Sequence, residues 1–245
     1  MNSSMETESG ADFFPDCNTG PGMDEQQQMH ASNRPAEHIT ILLPGGLIAP
    51  EEMKAVIAVA ARFDLSCYAT TAQNLRLLGA TRENLDEIKR MLKDSGFHLK
   101  EAGRFPKPKV CIGLPYCKLG LADTFALSKR ILERFGNRSG VKPKWKIALS
   151  GCPACCTGSK LVDVGVVATR KGFDVFAGGK GGLQPKTGKR IARAVSEGEV
   201  VEMIGRLADY HAAHTGKKQR MFKLLGREDF PFPVEDGEGD APAHR

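Results

Sequence analysis

A chain of 245 residues with 41% hydrophobic content can bury one large core or two small ones. No apolar run approaches the ~20 residues a bilayer-spanning helix needs, and the amino-terminal stretch lacks the basic and apolar regions of a secretion signal. A cytoplasmic, reducing location with no membrane partner is therefore expected. The net charge of +6 hides an uneven distribution: residues 1–37 carry seven acids and one base, residues 228–245 carry six acids and one base, and the 190 residues between them hold 33 bases against 16 acids. Such a body attracts polyanions. With one Trp, three Tyr and no recognisable nucleic-acid module, base-stacking platforms have little support and no nucleic-acid partner is expected.

Residues 1–37 are rich in Ser, Glu, Asp, Gln, Gly and Met without periodicity and read as a disordered leader. His38 to Leu43 is a short β-branched and apolar run, a strand stopped by the turn Pro44-Gly45-Gly46. Pro50-Glu51-Glu52 opens a helix, with Pro in the first turn and acids at the positive end of the dipole, and Met53, Val56, Ile57, Ala60 and Phe63 share one face. Ser66 to Thr71 and Gln73 to Leu78 read as strands, with Cys67 as a core thiol on an alternating run. Thr81 is placed to cap a helix carrying Leu85, Ile88 and Leu92 and ending at Gly96. A last strand at Phe97 to Leu99, or at Lys109 to Ile112, completes a β-α-β-β-α-β order, a ferredoxin-like unit over residues 38–108.

Beyond it, a helix is expected over Ala122 to Phe135 and a strand over Trp145 to Leu149 that delivers Ser150-Gly151-Cys152. Leu161 to Thr169 and Phe173 to Ala177 form a hairpin turning at Arg170-Lys171-Gly172, followed by a glycine-rich run from Gly178 to Gly182. Thr187 to Ser196 and Val200 to His214 read as helices, and residues 231–245 as an acidic tail. The fold class is α+β, one ferredoxin-like half-domain and then a second α+β domain over 109–230.

Four of the seven cysteines fall into Cys111-x5-Cys117 and Cys152-x3-Cys156, both in loops rich in Gly and Pro where the backbone can bend several thiolates toward one point. Zinc knuckles use tighter spacing or a histidine pair, a disulfide framework needs an oxidising compartment, and isolated buried thiols would not gather in two such loops. A metal centre is the expectation. Cys17 reads as an unpaired tail residue. Residues 140–193, around the second loop, hold eleven bases and two acids.

Leu43-Pro-Gly-Gly46, Thr70-Thr-Ala-Gln-Asn74, Cys111-x5-Cys117, Lys144-Trp-Lys146-Ile and Ser150-Gly-Cys-Pro-x-x-Cys156 resemble, in order, the signatures of the sirohaem-dependent nitrite and sulfite reductases over about residues 38–230. The chain is most similar to the short assimilatory-type sulfite reductases. The resemblance implies that Cys111, Cys117, Cys152 and Cys156 hold a [4Fe–4S] cluster and that Cys156 also ligates the sirohaem iron. It implies that Lys144 and Lys146, alternating along a strand, reach the oxygens of sulfite or nitrite, and that Arg76, Gly178 and Gly179 are weaker candidates for holding cofactor carboxylates. Without a flavin or nicotinamide fingerprint, an external electron donor such as ferredoxin is implied. The single half-domain leaves either a more exposed cofactor or a homodimer that covers it. The arginines that the family usually places near these motifs are replaced by Thr40 and Leu42, by Ala72, and by Lys107 and Lys109, and Cys155 is a spare thiol between two ligands. A non-catalytic electron-transfer accessory and a zinc-stabilised structural module are the rival readings.

Overall fold

The computed structural model describes residues 37–142, 144–216 and 220–235. Of the leader expected over 1–37, residues 1–36 with Cys17 lie outside the described residues, as do the last ten, while Glu37 opens the first strand. The first half contains β1 (Glu37–Ile41), α1 (Pro50–Arg62), β2 (Ser66–Ala69), β3 (Leu75–Ala80) and α2 (Leu85–Asp94). β3 pairs antiparallel with both β1 and β2, giving the order β1-β3-β2. The fourth strand is reduced to a single antiparallel bridge between Leu99 and Ile41, with Leu42 N–H donating to His98 and Lys100 N–H to Thr40. The two helices bury Val56, Val59, Ile88 and Leu92 against Ile39, Ile41 and Leu77 in a core of their own.

Three details of the first half differ from the sequence reading. Ile57 is exposed and Val59 is buried, because the buried stripe of α1, Val56, Val59 and Ala60, is turned toward Val59 and away from Ile57. Cys67 is exposed rather than a core thiol, because β2 is a four-residue edge strand with no packed face. Thr81 does not cap α2: its own N–H donates to Asn84 Oδ1 at 2.8 Å, and the helix begins one residue after Asn84.

The second half is built on a five-stranded mixed sheet: β4 (Lys109–Val110), β5 (Ile147–Ser150), β6 (Val164–Thr169), β7 (Gly172–Ala177) and β8 (Lys189–Val195), in that spatial order. β4, β5 and β6 are parallel and β6, β7 and β8 antiparallel. A single helical turn, α3 (Gly113–Tyr116), follows β4, then α4 (Thr124–Phe135), whose Asp123 cap accepts from Ala126 N–H at 2.9 Å. α5 (Glu197–His214) carries a capping box of Ser196 and Glu199, and burial pushes Tyr210 on it above its ordinary phenol range. Its Val200, Ile204 and Leu207 pack on Val164, Val166 and Val175 in the larger core.

β8 is the chief correction here. Lys189–Val195 is a strand where the alternation of Arg and Ala reads as helix. Those residue types favour a helix in isolation, but pairing with β7 overrides propensity, and the strand accommodates register shifts and a left-handed Ala194 at φ +52°. The tail boundary also moves. Phe230, Phe232 and Val234 pack on the core, and Glu235 N–H donates to Arg190 C=O at 2.9 Å. No helix among the described residues is long and apolar enough to cross a membrane.

Candidate metal centre

Because β4 and β5 are parallel and in register, with Val110 opposite Leu149, the residues that leave them emerge at the same edge of the sheet. Those residues are Cys111 and Gly151-Cys152. The two loops cross there. A Cβ on Gly151 would stand 3.1 Å from Gly113 Cα, a tight contact that glycine avoids. Gly151 N–H donates to Cys111 Sγ at 3.0 Å, and Leu121 N–H to Gly151 C=O at 2.7 Å, which draws the turn after Cys117 onto the same spot. Thr124 Oγ1 donates to Cys111 C=O at 2.5 Å. A cis peptide bond joins Leu114 and Pro115 within the first loop.

The second loop is braced from beneath. Ser150, Thr157 and Ser159 are buried, and their hydroxyls form a closed triangle with edges of 2.7, 2.8 and 2.7 Å. Each hydroxyl can donate once and accept once around such a ring, so the buried polar groups satisfy one another and fix both ends of the Cys152 to Cys156 turn. Cys155 sits at φ +56° inside the turn, with its N–H donating to Cys152 C=O at 3.2 Å. None of the six described cysteines is in a disulfide; Cys111, Cys117, Cys152 and Cys155 are half-buried and Cys156 is exposed.

Among the described residues, no three His, Cys, Asp or Glu side chains already surround a common point as metal ligands. The donor set nonetheless fits an iron–sulfur group in kind: free thiols on two crossing, glycine-rich loops, with a backbone N–H aimed at one sulfur, as such clusters use to tune potential. The first loop also exposes Ile112, Leu114, Tyr116, Leu119 and Leu121, an apolar concentration beside Cys117. The recess between α4 and α5, lined by Arg130, Glu133, Arg134, Val201 and Glu202, offers only paired charges and no thiol.

The other sequence candidates lie elsewhere. β5 begins at Ile147, so Lys144 and Lys146 do not alternate on a strand: Lys144 occupies a left-handed turn at φ +71°, and Lys146 precedes the strand. Both are at the opening end of β5, while Cys152 is beyond its closing end, with the four extended residues of the strand, about 13 Å, between them. Arg76 is in the first sheet, donating through Nε to Thr40 Oγ1 at 3.3 Å. Gly178 and Gly179 are buried, and the reason for glycine is packing: a Cβ at Gly178 would stand 2.4 Å from Leu225 Cδ1, and one at Gly179 would stand 2.3 Å from Lys160 C=O. They are not surface groups for a cofactor.

Sequence reading missed a second set of residues. Gln73 joins the first half to the second by bonding both backbone groups of Val110, while within the first half Asn74 Oδ1 accepts from Leu43 N–H at 3.0 Å and Lys107 Nζ donates to Leu42 C=O at 3.3 Å. Burial holds the Lys107 ammonium below its ordinary range. Asp163 was also missed. Fully buried, it takes the Arg220 guanidinium at 2.8 Å and the N–H groups of Lys146 and Met221, each at 3.1 Å.

Residues 104–230 match the family model for the nitrite and sulphite reductase 4Fe-4S domain, and residues 30–95 match the nitrite/sulfite reductase ferredoxin-like half domain. The chain is 30% identical over 195 residues to a nitrite reductase [NAD(P)H] of Emericella nidulans, covering 79% of this chain and 17% of that protein, so it spans less than a fifth of that relative's length. It is 29% identical over 184 residues to an assimilatory-type sulfite reductase of Nitratidesulfovibrio vulgaris, covering 74% of this chain and 83% of the other. In fold it is similar to the crystal structure of dissimilatory sulfite reductase I, with a TM-score of 0.67 at 15% identity over 82% of this chain and 68% of that one. The α+β reading, a ferredoxin-like half-domain leading into a 4Fe–4S domain, is borne out by these matches. This chain belongs to the nitrite and sulfite reductase family.

Proposed function

We propose that the chain reduces sulfite to sulfide by six electrons, with a [4Fe–4S] cluster that Cys111, Cys117, Cys152 and Cys156 would hold and a sirohaem for which Cys156 would also be a ligand. The observation that carries this reading is the crossing of the two cysteine loops, with Gly151 N–H on Cys111 Sγ, at the open end of the parallel strands. Bound there, the two groups would supply single electrons and redox chemistry for an oxyanion. The protein's own part is to hold the loops, to surround the first of them with apolar side chains that exclude water, and to present a basic body to an anionic substrate and cofactor. Convergence of the four sulfurs belongs to the loaded state, because ligand gathering and metal binding are one equilibrium.

The same basic body fits an acidic external carrier such as ferredoxin as donor. Nitrite is the second reading, favoured by the 30% identity to the Emericella nitrite reductase. Protein purified without oxygen, reduced by viologen and supplied with each anion in turn, distinguishes them. Faster oxidation of the dye by sulfite supports the first reading, faster oxidation by nitrite the second, and oxidation by neither the accessory role.

Lys144 and Lys146 carry no substrate role in this proposal, since they stand at the wrong end of β5. Replacing either by Met is expected to change the sulfite turnover number by less than about threefold, which is under 1 kcal/mol in the barrier. Steady-state viologen oxidation measures it.

A further inference from the structure

β4 is an edge strand, and its outer side is closed by a side chain in place of a neighbouring strand. Val110 N–H donates to Gln73 Oε1 at 2.8 Å, and Gln73 Nε2 donates to Val110 C=O at 2.5 Å. On the inner side, the next residue's N–H, that of Cys111, donates to Leu149 C=O at 3.1 Å. The primary amide thus reproduces both ladder bonds that a sixth strand would make, one residue before the first cysteine. Gln73 does this from a left-handed backbone, φ +59°, fixed by its own N–H on Thr70 C=O at 3.0 Å and by Gly46 beneath its Cβ. A non-glycine residue held in that region invites a functional explanation.

Cys111 is then restrained from several sides: its N–H by Leu149, its C=O by Thr124, its sulfur by Gly151 N–H, and its preceding residue by Gln73. Within that set Gln73 is the member contributed by the ferredoxin-like half, whose core is separate from that of the second half. We infer that Gln73 is a positioning residue for Cys111, an amide clamp through which the first half fixes the starting direction of the first cysteine loop. The inference rests on the proposed reductase reading only in calling Cys111 a cluster ligand; the clamp itself is a property of the protein alone.

The test uses the full chain and two variants. Gln73→Gly relieves the left-handed backbone and removes both hydrogen bonds. Gln73→Glu keeps an acceptor for Val110 N–H and sets a carboxylate oxygen against Val110 C=O. In each, amide hydrogen exchange at Val110 is expected to accelerate by about tenfold or more, with protection in β6 and α5 unchanged. In cluster-free protein, alkylation of Cys111 is expected to quicken relative to that of exposed Cys67, and in loaded protein the midpoint potential of the cluster is expected to shift. Unchanged exchange at Val110 in both variants, or protection lost throughout the chain at once, overturns the clamp. If the wild-type protein binds neither iron nor tetrapyrrole, the reductase proposal fails while exchange and alkylation still decide the clamp.

Discussion

Serine in place of Cys111 is expected to bring bound iron and visible colour to background and to abolish sulfite-dependent oxidation of reduced viologen, while the same change at Cys67 leaves all three intact. The contrast follows from placement. Cys111 lies at the shared end of two parallel strands with its sulfur against the opposite loop, and Cys67 lies on an exposed edge strand of the other sheet. A hydroxyl is a poor substitute for a thiolate on iron, so one lost ligand empties a four-ligand site rather than weakening it slightly. Elemental analysis and the visible spectrum of the two variants check this. Iron retained in Cys111→Ser, or lost in Cys67→Ser, would assign the metal to other residues.

The second large effect concerns stability. Asp163→Ala is expected to destabilise the fold by about 3–5 kcal/mol, the cost of breaking a buried ion pair by removing one partner. The carboxylate is fully buried and joins two separate segments, the residue before β5 through Lys146 N–H and the carboxy-terminal segment through Arg220 and Met221 N–H; the backbone C=O of the same residue, which alanine keeps, accepts from Gly178 N–H at 2.9 Å. Alanine would leave the Arg220 guanidinium, itself largely covered, without its charge partner and two N–H groups without acceptors. Against total stabilities of about 5–15 kcal/mol for domains in general, that is a large share. Urea unfolding followed by circular dichroism measures the change. A loss below about 1 kcal/mol would show that water replaces the carboxylate.

The parts of this molecule that sequence reveals are the parts whose signal is local. Pro50 with two acids marks the start of α1, alternating valines with a two-residue turn mark the β6–β7 hairpin, and the cysteine spacings mark the loops. What stays hidden depends on partners far along the chain. Gln73 and Val110 are 37 residues apart, and neither residue type announces the pairing. The triangle of Ser150, Thr157 and Ser159 looks like ordinary loop composition until the turn closes. β8 reads as a helix because Lys, Arg and Ala are good helix formers, and only the open edge of β7 makes it a strand. The lysine pair misleads for a related reason: alternation in sequence projects side chains to one face only where the backbone is extended, and Lys144 is not.

The central claim is that the two crossing loops hold an iron–sulfur cube next to an iron tetrapyrrole. Metal content and the absorption spectrum of the protein purified without oxygen test it most directly. About five irons per chain, four from the cube and one from the macrocycle, with the bands of a reduced tetrapyrrole, is the predicted result. Zinc in place of iron, or a colourless protein after reconstitution with iron, sulfide and sirohaem, would contradict it.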